Sequence, residues 1–522
     1  MNNPIKRLAG QTVIYGLSSI IGRFLNYLLT PLYTFLLVET SDYGVITEMY
    51  AYAGFFTVLF TYGMETAFFR FNESSAEKQK VFSTAQISVL ISSFLLFIFM
   101  ILFSGNVAGL LSSNSDTTQT SLSASSYQSY IIWFALIFAL DAITAIPFAK
   151  LRAENRPVRF AWIKLVNIGL NIGLNLYFLL AAPYLAKKMG LENGNFLIPA
   201  SPQVAYIFIS NLIASAVTFL LLLPEMLRSE WKFDFSLWRK MIVYALPLLI
   251  VGFAGVINEM LDRVILKFLL PGTMKENMAE LGIYGACYKL SILMTLFIQA
   301  YRYAAEPFFF SQSTKQNAKA VYASSMKYFV IVSCIIFLGV MLYLDIVKYF
   351  IPNEKYWEGL KVVPILLLAN LFLGIYFNLS IWYKLTDKTK WGAWISIGGA
   401  LITVFLNWLW IPWIGYLGSA WATLICYANM AVASYFLSMK FYPVKYNLRK
   451  IFLYISLAVL IYIANDQFLK MTGIENPLVK YSMQTVFLFA YLGFVYLFER
   501  MTKSPKPITA DVIENATSSN DN

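Results

Sequence analysis

The sequence contains no histidine and only three cysteines, Cys287, Cys334 and Cys426, in 522 residues. The absence of histidine removes the commonest zinc ligand and the side chain that titrates most readily near neutrality. Any proton-linked step would fall to carboxylates. The cysteines are far apart, and each sits inside an apolar stretch. They read as small buried hydrophobes, not as a disulfide or metal set. Charge is also scarce, at 13% of residues against about 25% in soluble domains. No segment between the apolar runs is long enough to form a soluble domain or an external catalytic site, so neither an enzyme nor a cofactor is implied.

Hydrophobic residues make up 59% of the chain and aromatic residues 17%. Apolar runs fall near 9–37, 43–71, 80–103, 127–150, 157–182, 202–223, 238–270, 280–310, 325–350, 360–384, 391–411, 414–439, 450–468 and 481–500. Each is long enough to cross a bilayer as a helix, which needs about 20 residues. No barrel-like alternation appears, and only helices or closed barrels satisfy their backbone in lipid. The expected fold is an all-α integral membrane protein of fourteen spans. Lys6 and Arg7 precede the first run, which contains Arg23 and Asn26 and lacks a small-residue cleavage site, so it reads as an uncleaved span. The longest loop, about 104–126, is rich in Ser, Thr and Asn, and the tail after Lys506 is polar and expected to be disordered.

Net charge is +12, and most basic residues occupy short loops, which suits anionic headgroups and orientation and not nucleic acid. With the N-terminus inside, 26 of the 40 basic residues fall in inside segments, nine in outside loops (Lys267 among them) and five within spans. The bias alternates loop by loop and predicts that both termini are cytoplasmic.

The two halves resemble each other. At a shift of 241, Tyr43-Gly44 meets Tyr284-Gly285, Tyr62 meets Tyr303, and Glu65 meets Glu306. At a shift of 232, Ala161-Trp162-Ile163 meets Ala393-Trp394-Ile395 and Asn175 meets Asn407, while Lys150-Leu151 corresponds to Lys384-Leu385. Ordered matches at nearly constant offset indicate duplication. Six spans per repeat give both copies the same orientation, as in transporters that rock two bundles about a central cavity. The expected division is a six-helix lobe over 1–230, a second over 231–440, a helix pair over 441–505 and the tail 506–522.

Ionisable residues inside spans are costly and are functional candidates by default. The first half offers Arg23, Glu48, Glu65, Asp141 and Lys164. The second offers Glu259, Asp262, Arg263, Lys289, Arg302 and Glu306. Arg302 and Glu306 share a helical face, as do Glu259 and Arg263, so mutual neutralisation and ligand binding both stay open for these pairs. Asp262 and Lys289, near span ends, could reach water by snorkelling. Arg23 has no carboxylate on its own span, which favours an anion-facing cavity. Glu65 and Glu306 are the candidates for carrying a coupling proton. Asn167, Asn171 and Asn175, interleaved with Gly169 and Gly173, form a face suited to helix packing more than to ligand contact. Pro31, Pro147, Pro247, Pro307 and Pro364 are candidate kinks.

Several stretches carry a family resemblance. Leu261-Asp262-Arg263-Val264-Ile265-Leu266, then Gly282-Ile283-Tyr284-Gly285-Ala286 and Tyr288-Lys289-Leu290, are similar to the seventh and eighth helices of polysaccharide-transport flippases. Leu406-Asn407, Ile411-Pro412, Gly415, Gly418-Ser419-Ala420 and Ala422-Thr423 resemble the eleventh-to-twelfth turn, and Leu151-Arg152-Ala153-Glu154-Asn155-Arg156 the basic turn after the fourth span. The chain thus resembles the polysaccharide transport (oligosaccharide or O-antigen flippase) family of the multidrug/oligosaccharidyl-lipid/polysaccharide exporter superfamily. That resemblance implies alternating access around a cationic cavity, with Arg23, Arg263 and Arg302 as substrate-binding candidates, in a bacterial inner membrane. It implies translocation of undecaprenyl-diphosphate-linked oligosaccharide for O-antigen, capsule or exopolysaccharide assembly. Partners would be the lipid-linked oligosaccharide, membrane lipids, a proton or sodium ion, and polysaccharide assembly proteins. Arginine suits a diphosphate because it stays charged and binds bidentately, and Tyr62 and Tyr303 are candidate sugar-stacking faces. A cation-coupled multidrug exporter of the same fold and a membrane glycan polymerase or ligase are the alternatives. One departure stands out: a longer loop, about 183–201, replaces the expected Gly-containing turn after Asn175.

Overall fold

The computed structural model describes residues 20–37, 39–112, 123–313, 315–474 and 476–502. Within those residues the chain is almost wholly helical, and the one extended pairing is an isolated bridge between Gly194 and Pro199. Twelve described helices are long and apolar enough to cross a membrane, from Thr40–Glu73 to Pro477–Met501. The pair Met274–Leu290 and Ile292–Phe310, bent by 48°, gives a thirteenth when taken as one span. These correspond in order to the predicted spans from the second onward. The first predicted span is described only from residue 20, as helix 20–27 followed by Leu29–Leu36. The chain is a multi-pass helical membrane protein.

Lipid-facing stripes are visible along individual helices. On Lys78–Ser112, Ile91, Phe94, Leu95, Ile98, Phe99 and Leu102 are exposed, a spacing of three and four that places them on one side. Val81, Ala85, Val89 and Ser93 are buried on another. This helix runs nine residues beyond its predicted end. Ser104, Gly105 and Asn106 look like loop residues, but Ala108 packs against Tyr127 and Ile131, so tertiary burial extends the helix. The 48° bend lies at Ser291, a position without proline. There the Ser291 hydroxyl donates to the Tyr288 carbonyl at 2.7 Å and competes with the helical ladder. A second break falls at Tyr62 and Gly63, both left-handed, with φ of 33° and 76°. Gly63 tolerates that backbone and also admits the close approach of Leu248, whose Cβ would stand 3.1 Å from an added methyl.

The chain forms two compact units. The first comprises Met1–Ala323 with Asp345–Lys445 and contains helices from both sequence halves. The second comprises Ser324–Leu344 with Tyr446–Asn522. In the second unit Glu499 accepts from Lys450 at 2.9 Å and from Tyr454 at 2.5 Å and pairs with Lys327, which joins all three of its described helices.

Duplication is visible in side-chain geometry as well as in sequence. Asn175 donates to the Asn171 carbonyl at 2.7 Å, and its counterpart Asn407 donates to the Thr403 carbonyl at 2.8 Å. Trp162 and Trp394 are both exposed on equivalent helices.

Candidate functional site

Three glutamates within spans each have their own basic partner. Glu48 lies 2.5 Å from the Lys267 amine, with both side chains 0% exposed, and also accepts from the Tyr127 hydroxyl at 3.0 Å. This joins helix Thr40–Thr61 of the first half to Phe235–Leu269 of the second. The expectation of Lys267 in an outside loop is corrected here. It lies inside the helix, because Leu266, Phe268 and Leu269 continue the apolar run to the C-cap and Asn277 takes up the Lys267 and Leu270 carbonyls at 2.9 and 3.0 Å. Glu65 pairs with Arg152, and Glu306 pairs with Lys384 at 2.5 Å. The two glutamates are repeat equivalents, and their partners occupy the equivalent ends of the fourth and tenth predicted spans. The duplication has kept one cross-helix ion pair in each half.

Neither same-helix ion pair suggested by spacing forms. Glu306 is taken by Lys384, and the Arg302 guanidinium lies over the Phe377 ring at 4.0 Å. Arg263 lies over Tyr288 at 3.8 Å and makes no ion pair with Glu259. Arg263 is only 8% exposed, and its Nη2 has no hydrogen-bond partner among the described residues. Asp262 does not snorkel: it is buried and accepts from the Tyr284 hydroxyl at 2.6 Å. Lys289 is half-buried beside Arg263. Arg23 is exposed on helix 20–27. It shares a face with Tyr27, four residues on, and Tyr27 stacks on Phe350 of the second half at 4.3 Å. Among the described residues no carboxylate forms an ion pair with Arg23, Arg263 or Arg302. Asp141 is accessible, with Ser215 and Lys164 as its electrostatic neighbours. Of the two candidate stacking tyrosines, Tyr303 is exposed, while the Tyr62 hydroxyl is tied to Ser88 at 2.8 Å.

The halves meet most closely where the repeat is clearest. A Cβ added at Gly44 would stand 2.1 Å from the Met278 carbonyl oxygen, and one at Gly282 would stand 1.9 Å from that of Thr40. At Gly285 it would strike Thr47. Helices Thr40–Thr61 and Met274–Leu290 are repeat equivalents, and they cross in backbone contact at Gly44 and Gly282. Glycine is required here by the backbone separation. From this crossing the 40–74 segment follows Phe235–Leu269 along its length. Glu48 meets Lys267, Gly54 meets Val256, Gly252 meets Val58, and Arg70 lies over Tyr244 at 4.3 Å.

The asparagine face is accounted for by packing. Asn167 donates to Thr218 at 2.9 Å, Asn171 to Asn26 at 3.3 Å, and the Tyr33 hydroxyl to Asn175 at 2.9 Å. The basic turn is an ion network: Arg156 and Arg159 approach the buried Glu225 at 3.0 and 2.7 Å. Sequence reasoning missed Asn258, which donates to the Ser396 carbonyl at 3.0 Å and accepts from Thr403 at 3.3 Å, and whose own carbonyl accepts from Tyr427. It ties the seventh predicted span to the eleventh and twelfth. Its one signal was an amide inside a predicted span, beside Glu259.

A family model described as polysaccharide biosynthesis protein matches residues 8–313. The chain belongs to this polysaccharide biosynthesis protein family. The fold of this family member is shared by solved transporters. Lipid II flippase MurJ in an inward closed conformation superposes with a TM-score of 0.71 at 16% identity, covering 94% of this chain and 99% of the other. An inward-facing multidrug resistance MATE family transporter of the MOP superfamily gives 0.60 at 13% identity, covering 84% and 98%. The MATE multidrug transporter DinF-BH gives 0.59 at 18% identity, covering 84% and 96%. No curated protein matches the sequence.

Proposed function

We propose that this family member is a flippase, not an enzyme, and that it carries undecaprenyl-diphosphate-linked oligosaccharide across a bacterial inner membrane by alternating access. The carrying observation is the fate of the in-span charges. Glu48, Glu65 and Glu306 are each matched by a base from another helix, whereas Arg23, Arg263 and Arg302 have no ion-pair partner among the described residues. Intramembrane arginine is costly unless an anion or protein dipoles compensate it, and a diphosphate is such an anion. Arg263 and Arg302 lean on aromatic rings, and although Arg263 Nη1 donates to the Met260 sulfur at 2.9 Å, its Nη2 has no hydrogen-bond partner among the described residues.

The crossing at Gly44 and Gly282 and the Glu48–Lys267 pair close one end of the seam between the lobes 1–230 and 231–440. The charge bias would, in this reading, put that end outside and the termini in the cytoplasm. In this reading Glu65 and Glu306 are the coupling candidates. To take up a proton each would have to release its cation, so proton uptake and breakage of a cross-helix pair would be one event. The MATE neighbours favour a second reading, a cation-coupled multidrug exporter of the same fold, which calls for an acidic path. The test is complementation of a deletion strain with an Arg23→Ala variant. We expect loss of surface polysaccharide at unchanged protein level and unchanged drug sensitivity. Retained polysaccharide would remove Arg23 from the path, and altered drug sensitivity would favour the second reading.

A further inference from the structure

Residues 228–234 join helix Val204–Leu227 to helix Phe235–Leu269. Both helices cross the bilayer, and seven residues reach at most about 25 Å when fully extended, so this connection stays at the membrane surface. Its backbone is non-helical from Glu230 to Asp234. Trp231, Phe233 and Phe235 occupy alternate positions and are 50%, 44% and 66% exposed. In extended chain, alternate residues project to one side. Phe233 and Phe235 gather around Trp238, with centroids 6.1 and 5.4 Å away.

The opposite side is pinned to helix Lys78–Ser112. Ser83 donates to the Glu230 carbonyl, and the Asp234 N–H donates to Thr84 at 3.2 Å. The Asp234 carboxylate pairs with Lys80 at 2.9 Å, and the Trp238 indole N–H donates to Ser88 at 2.8 Å. Both carboxylates of the connection are matched, Asp234 by Lys80 and Glu230 by Lys232 at 2.8 Å. Arg228, Arg239 and Lys240 are exposed, with no ion pair among the described residues. The result is a rigidly held aromatic ridge flanked by free cations.

We infer that this inter-lobe connection is a lipid-binding surface, with Trp231, Phe233 and Phe235 seated at the headgroup–acyl boundary and Arg228, Arg239 and Lys240 on anionic headgroups. Aromatic rings favour that depth, where one part of the surroundings is apolar and the other wet. An exposed aromatic ridge in water would be an association hazard. The neighbouring cations complement an anionic leaflet, and both acids of the connection are already neutralised by lysine. The surface would fix the joint between the lobes at constant depth, whatever the chain transports.

The test uses the full chain with one introduced cysteine, Phe233→Cys, carrying a polarity-sensitive fluorophore. Cys287, Cys334 and Cys426 are buried, and an unsubstituted chain carried through labelling sets the blank. In nanodiscs containing phosphatidylglycerol we expect blue-shifted emission and strong quenching by lipids spin-labelled near the acyl carbonyl. Replacing phosphatidylglycerol with phosphatidylcholine, or introducing Arg228→Glu with Arg239→Glu and Lys240→Glu, should reduce both effects several-fold. Water-like emission quenched by iodide and indifferent to lipid label would overturn the proposal and leave the ridge to a soluble protein partner. Trp231→Cys and Phe235→Cys read the same face should Phe233→Cys fail to fold.

Discussion

Removing the Lys267 amine is the most informative perturbation of the seam. Glu48 and Lys267 are fully buried, 2.5 Å apart, with Tyr127 as the further donor to the carboxylate. Lys267→Ala leaves Glu48 buried among neutral tyrosine hydroxyls with its lysine counter-charge removed. Losing one partner of a buried pair costs about 3–5 kcal/mol, roughly two to three and a half powers of ten in an equilibrium constant at about 1.4 kcal/mol per tenfold. Two readouts follow. Purified Lys267→Ala should melt earlier than the parent. Ser41→Cys, buried beside the helix crossing, should react with a water-soluble maleimide far faster when Lys267→Ala is present, because the closed seam loses population. The double variant Glu48→Gln with Lys267→Met should recover most of both, since replacing a whole buried pair by groups of similar volume is often neutral. A Lys267→Ala chain that melts like the parent and keeps Ser41→Cys protected would refute the assignment of this pair to the closed seam.

Gly282→Leu places side-chain atoms where even a Cβ stands 1.9 Å from the Thr40 carbonyl oxygen, so we expect it to part the same two helices. Overpacking costs about 1–3 kcal/mol, and raised maleimide labelling of Ser41→Cys checks it. Glu306→Gln should weaken the pairing with Lys384, and Glu65→Gln the pairing with Arg152. If these carboxylates couple a proton, transport by either variant should lose its response to an imposed pH gradient. Outside the spans, Asp234 is held below the ordinary carboxylate range, first by the Leu237 N–H and then by Lys80. A depressed folded value stabilises above the unfolded pKa of about 3.9 and is lost as pH falls through the folded value. The melting difference between the parent and Asp234→Asn should therefore be present at neutral pH and vanish in acid.

The fold was legible because bilayer thickness imposes a length on every apolar run, and the alternation of basic loops then tests the order of the runs. The repeat was legible because its glycines and glutamates sit where geometry leaves few substitutes: Gly44 and Gly285 at the helix crossing, Glu65 and Glu306 each facing a base. Partners were not legible. Spacing put Glu306 with Arg302 on one face, yet Lys384 from another helix takes the carboxylate, because tertiary packing decides between two bases that sequence ranks equally. Lys267 was misplaced because a charge near the end of an apolar run looks the same whether it snorkels to water or meets a buried acid. The bend at Ser291 and the break at Tyr62–Gly63 fell at none of the candidate prolines, since a serine hydroxyl and a left-handed glycine relax the ladder just as well.

Transport itself is the most direct measurement. Purified chain reconstituted into sealed vesicles with a fluorescent undecaprenyl-diphosphate-linked oligosaccharide, probed by an impermeant quencher, reports how much lipid has crossed. Crossing should depend on the protein and fall steeply in Arg23→Gln, Arg263→Gln and Arg302→Gln chains that melt like the parent. Equal crossing by all three variants, or none by the parent, would contradict a cationic path for an anionic glycolipid.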